Sequence, residues 1–145
     1  MMCLHYDWAD RASTVSGQNG TMANQVRNLQ AAFDSISDHW QPRRLVSVND
    51  YDVKVVKVQG EFTWHSHPDT DELFLVVSGQ LAIQLRDGDV SLGPGDVYVV
   101  PRGVEHCPRA DGEVSALLIE PQGTLNTGDT PSERTAQLRE LDLGT

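Results

Sequence analysis

The sequence predicts an all-β protein, an antiparallel sandwich or barrel, on three observations. Short runs rich in Val, Leu and Ile follow one another from about residue 45 to residue 121; Gly, Pro, Asp or Asn separates them; and several alternate apolar with polar residues. In QLAIQLR, Leu81, Ile83 and Leu85 take one face while Ala82, Gln84 and Arg86 take the other. Strands this short and this regularly punctuated close on themselves more readily than they form a parallel sheet.

Taken in order, residues 1–22 are polar and aperiodic, with STVSGQNGT in the middle, and read as a flexible arm ahead of a single domain spanning 23–145. From Val26, the apolar positions Val26, Leu29, Phe33 and Ile36, with Ala32 beside them, fall at helical spacing and predict a short amphipathic helix. Pro42 then favours extended backbone. The strand candidates are LVSV, DVKVVKV, EFTWHSH, ELFLVV, QLAIQLR, DVSL, DVYVV, VEHC and EVSALLIE. Turn signals stand between them: Ser78-Gly79, Asp87-Gly88, Gly93-Pro94-Gly95 and Asp111-Gly112. Past a loop-like PQGTLNTGD, Thr130-Pro131-Ser132-Glu133 has the pattern of a helix start, with Leu138 and Leu141 as the apolar side of a short C-terminal helix over about 131–141. No internal repeat is visible.

Composition bounds the function. A chain of 145 residues folds as one domain that buries roughly 70% of its unfolded surface without disulfide staples. The two cysteines, Cys3 and Cys107, share no repeated spacing and suit a reduced, cytoplasmic setting. No segment approaches a membrane span of ~20 apolar residues, so no membrane partner is expected. Eleven Lys and Arg against 21 Asp and Glu give a net charge of −10, which repels nucleic-acid phosphates. Arg43-Arg44 is the only adjacent basic pair and makes no phosphate cradle.

The chemistry concentrates in WHSHPDTDE, Trp64 to Glu72. On a strand, residues two apart share a face, so His65 and His67 project together while Ser66 points away. Pro68 ends the run, PDTD turns, and Glu72 opens the next strand beside them. Two neutral imidazoles and a carboxylate on one side of an ion are a recurring shell for divalent transition metals. The competing reading has both histidines hydrogen-bonded to water at a polar barrel mouth; the HxH pair followed by an acid favours the metal.

A second stretch, GDVYVVPRGVEH from Gly95 to His106, strengthens that reading. The first stretch runs Gly60, four residues, His65-Ser66-His67, four residues, Glu72, six residues, Gly79; the second runs Gly95, five residues, Pro101, one residue, Gly103, two residues, His106. Together they resemble the two signatures of the cupin superfamily. The resemblance covers about residues 45–121 and implies a small double-stranded β-helix, or jelly roll, in which His65, His67, Glu72 and His106 are a three-histidine, one-glutamate metal set. It departs from the common form in two places. The interval from Gly60 to the first histidine is one residue shorter, and Ala110 stands where asparagine is frequent; neither position is a ligand.

Around this set, Phe74 and Val76 share the face of Glu72 and should wall a cavity. Trp64 should point outward, and Cys107 should lie opposite to His106 as a buried or interface thiol. Asp69 and Asp71 should solvate the turn. Arg102 and Arg86 are the basic candidates near the site, and Tyr98 is a base candidate if it faces inward. His5 and His39 receive no role. Four protein ligands leave room on an octahedral ion for a small-molecule substrate. The resemblance offers a non-haem Fe(II) dioxygenase first, then a redox-neutral isomerase, cyclase or lyase using Mn, Ni or Zn. A non-catalytic module binding a small ligand is the alternative from another class. Exposed strand edges and the resemblance together imply a homodimer.

Overall fold

The computed structural model describes residues 25–143. Helix α1 (Leu29–Asp34) is shorter than its apolar pattern suggests, because Asn28 caps it by accepting from Ala31 N at 2.9 Å. Val26 falls outside the helix and is 99% exposed, whereas Ala32, Phe33 and Ile36 are buried. They pack on Val55 and Leu141 outside the barrel.

Eight strands follow: β1 (Arg43–Val48), β2 (Tyr51–Glu61), β3 (Glu72–Ser78), β4 (Leu81–Leu85), β5 (Val90–Leu92), β6 (Val97–Val100), β7 (His106–Pro121) and β8 (Arg139–Glu140). All pairings are antiparallel except β1 with β8. The organising element is β7. It runs the length of β2 on one side, while on its other side residues 106–109 pair with β4 and residues 115–119 pair with β3. This change of neighbour curls the sheet into a jelly roll.

Side-chain alternation then sorts the residues. Val56 and Val58 of β2, Phe74 and Val76 of β3, Leu81 and Ile83 of β4, and Val114, Ala116 and Leu118 of β7 fill the interior, while Val55 faces α1. Gly79 has a structural role in closing the barrel: its φ is +87°, and a Cβ there would lie 2.6 Å from Glu113 O.

Three expectations need correction. Asp111-Gly112 is no turn; β7 passes straight through it, with an irregularity opposite Val58 and Gly60 of β2. EFTWHSH is not a ladder strand beyond Glu61, since only His65 makes a bridge. The expected C-terminal helix over about 131–141 is absent, and its place is taken by turns and β8. Side chains compete for the backbone there: Asn126 donates to Arg134 O and accepts from Ala136 N, and Thr135 Oγ1 accepts from Ser132 N. Leu141 is still buried, against α1. The expected arm at 1–22, with Cys3 and His5, lies outside the described residues.

Candidate metal centre

His65 and His106 meet in an isolated antiparallel bridge. His65 N donates to His106 O at 3.0 Å and His106 N to His65 O at 2.9 Å, which brings the two ring centroids to 4.3 Å. The bend before His106 has Gly103 at φ +77° and Val104 N donating to Pro101 O at 3.1 Å. Gly103 N also donates to His67 O at 2.9 Å, tying the two motif segments together. Ser66, between the histidines, faces the other way: its N and Oγ donate to Asp129 at 2.8 and 3.0 Å. Glu72 at the head of β3 completes the group, with Oε2 3.0 Å from His106 Nε2 and 3.1 Å from His67 Nε2.

The structure thus brings together all four residues singled out from the sequence. One ligand atom from each of His65, His67, Glu72 and His106 lies within 4.8 Å of the others, and all four side chains are buried. The hydrogen bonds behind them determine which atoms face inward. His65 Nδ1 is 2.8 Å from Thr63 O and His106 Nδ1 is 2.9 Å from Val104 O. A carbonyl only accepts, so each Nδ1 carries the hydrogen and each Nε2 turns inward; on His65 that nitrogen keeps its lone pair, while on His106 it hydrogen-bonds with Glu72 Oε2. Burial, helped by neighbouring His106, lowers the pKa of His65 to about 4 and keeps it neutral.

Burial works against the charge on Glu72, but the hydrogen bond with His106 and the nearby His67 ring hold the carboxyl down to about 2. Burial likewise opposes protonation of His67, but Glu72 outweighs it and raises the imidazole above its ordinary value. His67 Nε2 remains a buried nitrogen with no hydrogen-bond partner. Lone pairs and a carboxylate converging in a buried space repel one another unless a proton or a cation stands between them. An orphaned nitrogen within such a donor set fits a divalent transition metal.

The surroundings sort the remaining candidates. Phe74 and Val76 are buried on the face of Glu72. Tyr98 turns inward and packs on the interior without lining the cavity beside the tetrad. Trp64 lies under the Arg86 guanidinium, 3.8 Å from the ring centroid, and Arg86 also pairs with Glu105 at 2.7 Å. Arg102 pairs with Asp71 at 3.2 Å. Both arginines are therefore engaged on the surface. Cys107 is fully buried, which raises its thiol pKa, and it is not one of the four converging groups. His39 pairs with Glu113 at 2.8 Å.

Sequence reasoning missed a second charged pair in the interior. Lys54 Nζ of β2 lies 3.2 Å from Glu120 Oε1 of β7 and 3.3 Å from Thr124 O. Burial and the charge of Glu72 raise the Glu120 carboxyl to about 8, and Lys54 counters this only in part. The two clusters share a cavity lined by His65, Glu72, Glu120, Trp40, Phe62 and Asn126, among others. It leaves about 40 Å³ for the centres of water molecules, room for a few waters or a small ligand. In its lining Trp40 stacks on Phe62 with centroids 4.7 Å apart.

Comparison with known proteins agrees with this architecture. The Cupin domain family model (Cupin_2) matches residues 53–120. A crystal structure of a cupin-2 domain containing protein from Shewanella frigidimarina is 47% identical, covers 67% of this chain and 95% of its own, and superposes with a TM-score of 0.66. The chain belongs to the cupin superfamily. A second solved structure similar to this cupin is protein NMB1881 from Neisseria meningitidis, at 30% identity, 68% and 100% coverage, and a TM-score of 0.63. Among curated proteins, the uncharacterized protein YdbB of Bacillus subtilis is 32% identical over 98 residues, 67% of this cupin and 87% of YdbB. No helix among the described residues is long and apolar enough to cross a membrane.

Proposed function

We propose that this cupin is a metal-dependent enzyme acting on a small molecule, with His65, His67, Glu72 and His106 as the metal ligands and a non-haem Fe(II) dioxygenase-like activity. The observation that supports it is the buried tetrad with its orphaned nitrogen, two of whose members, His65 and Glu72, also line a cavity. A site plugged on every side would suit a purely structural ion; a site that opens on a cavity suits a substrate. A solved structure of hydroquinone 1,2-dioxygenase PnpCD shares the fold at 16% identity.

The chain's own groups have defined parts. Thr63 O and Val104 O hold the Nδ1 protons of His65 and His106, so both rings present Nε2. Glu72 contributes the negative charge, and Phe74 and Leu118 keep bulk water from the cavity wall. A divalent transition metal (Fe, Mn, Ni or Zn) bound there would supply Lewis acidity and, for iron, chemistry with dioxygen.

The test is elemental analysis of protein purified without a histidine tag, then oxygen uptake with Fe(II) and chelating acids, thiols or phenolics. Uptake that vanishes in His65→Ala supports the reading. Tightly bound Zn or Mn with no oxygen consumed replaces it with redox-neutral isomerase, cyclase or lyase chemistry. We further propose a homodimer. Among the described residues β6 pairs only with β3, and it exposes 54% of Val97 and 42% of Val99; a monomer mass by light scattering would refute the dimer.

A further inference from the structure

Glu120 is 1% exposed, yet its Oε2 has no hydrogen-bond partner. The carboxyl cannot swing freely to satisfy that atom, because Lys54 holds Oε1 at 3.2 Å and is itself tied to Thr124 O at 3.3 Å. Glu120 lines the same cavity as His65 and Glu72, and the remaining wall is mostly apolar, with Val56, Val58, Phe74 and Leu118. The interior therefore presents two polar ends to one small, largely apolar space.

We propose that the free oxygen of Glu120 recognises a hydroxyl group on a small, otherwise apolar molecule held in this cavity, with Lys54 as the residue that positions the carboxyl. This rests on the tetrad being a metal centre that faces a small-molecule substrate, and it names the class of that substrate. Charge decides among the alternatives. An ammonium group would meet the Lys54 cation, and a carboxylate or phosphate would meet Glu120 and Glu72. A hydroxyl is neutral and can donate as well as accept, so it bonds Glu120 whether or not the carboxyl carries a proton.

The probes are phenol and anisole, which differ by one methyl group that removes the O–H donor, titrated calorimetrically into metal-free and zinc-loaded protein. Phenol should bind wild type at least about tenfold tighter than anisole, the scale set by one hydrogen bond to a buried carboxyl. In Lys54→Met/Glu120→Leu, which replaces the pair with apolar groups of similar size, the ratio should fall to about one with anisole affinity unchanged. Should that variant not fold, Glu120→Gln serves. Its amide presents a donor that the ether oxygen of anisole satisfies as well as phenol does, so the preference again disappears.

Equal binding of both probes, a phenol preference that survives in the variants, or no binding of either probe would overturn the proposal; in the last case a water satisfies Oε2. Elemental analysis of the same samples separates this from failure of the metal reading. Wild type that neither carries nor takes up metal sinks the metal centre, whereas the phenol-to-anisole ratio of the metal-free protein judges Glu120 by itself.

Discussion

The barrel interior contains two charged clusters, and they are stabilised in opposite ways. In the tetrad, three imidazoles surround a carboxylate whose charge His106 and His67 support, and the one orphaned atom is a nitrogen. In the Lys54–Glu120 pair, a single cation faces a carboxyl whose affinity for protons burial has raised, and the orphaned atom is an oxygen. The first arrangement suits a cation, and the second, on our proposal, suits a hydrogen-bonding group. The difference teaches that a single apolar barrel can keep two unlike polar functions apart within one cavity by giving each its own partners.

The sharpest way to break the comparison is to remove one member of each cluster. His106→Ala should weaken metal binding, measured by chelator competition, by more than the roughly 100-fold typical of losing an outer-shell partner. It should leave folding nearly intact, because the bridge to His65 is made by the main chain. Glu120→Leu should do the reverse. Above pH 8, where the Glu120 carboxyl is ionised, it strands the buried Lys54 cation and should lower stability in urea by about 3–5 kcal/mol, with Lys54→Met/Glu120→Leu returning close to wild type. Equal stability of the single and double variants would refute the pairing.

The pH dependence of the metal-free protein sharpens the contrast. Glu72, lowered to about 2 from an ordinary 4.5, and His65, lowered to about 4 from 6.5, leave the unfolded chain with more bound protons. Their share of the stability therefore declines as pH falls from 6.5 toward 2. Glu120, raised to about 8 from 4.5, leaves the folded chain with more, so its share declines as pH rises from 4.5 to 8. The raised His67 adds to the loss above 6.5. Urea unfolding across pH in the presence of chelator should show a plateau between 4.5 and 6.5 where His65 and Glu120 oppose each other, and a shallower alkaline decline in the double variant. The smallest effect is expected from Asp129→Ala, which frees Ser66 between the two histidines without touching a ligand atom. Metal affinity should fall about tenfold, at the low end for supporting residues.

Three members of the tetrad were legible because their chemistry is local, between residues 65 and 72, and the fourth, His106, because the stretch Gly95 to His106 resembles the second cupin signature. The antiparallel sandwich or barrel was legible from strand alternation, and the jelly roll from the cupin resemblance. Lys54 and Glu120 were written in the same alternation, in phase with Val56 and Val58 on one strand and with Ala116 and Leu118 on the other. A charge near a strand end ordinarily reads as solvated, and only the β2–β7 register shows that two opposite charges meet inside. The C-terminal segment misled for another reason. Its helix-start residues are present, but Asn126 and Thr135 claim the backbone groups that a helix would need. Val26 belongs to the apolar period yet precedes the Asn28 cap, and the cap decides where α1 begins.

Reciprocal hydrogen bonds between main-chain groups hold His65 and His106 opposite each other. If the tetrad holds a metal as proposed, the backbone that carries two of its donors is set without regard to which ion that is. Divalent ions would compete for one fixed arrangement of nitrogen and oxygen donors, and the winner in a living cell would follow supply as much as intrinsic affinity. Growth medium would then be an experimental variable as consequential as any mutation, able to change what the same polypeptide does.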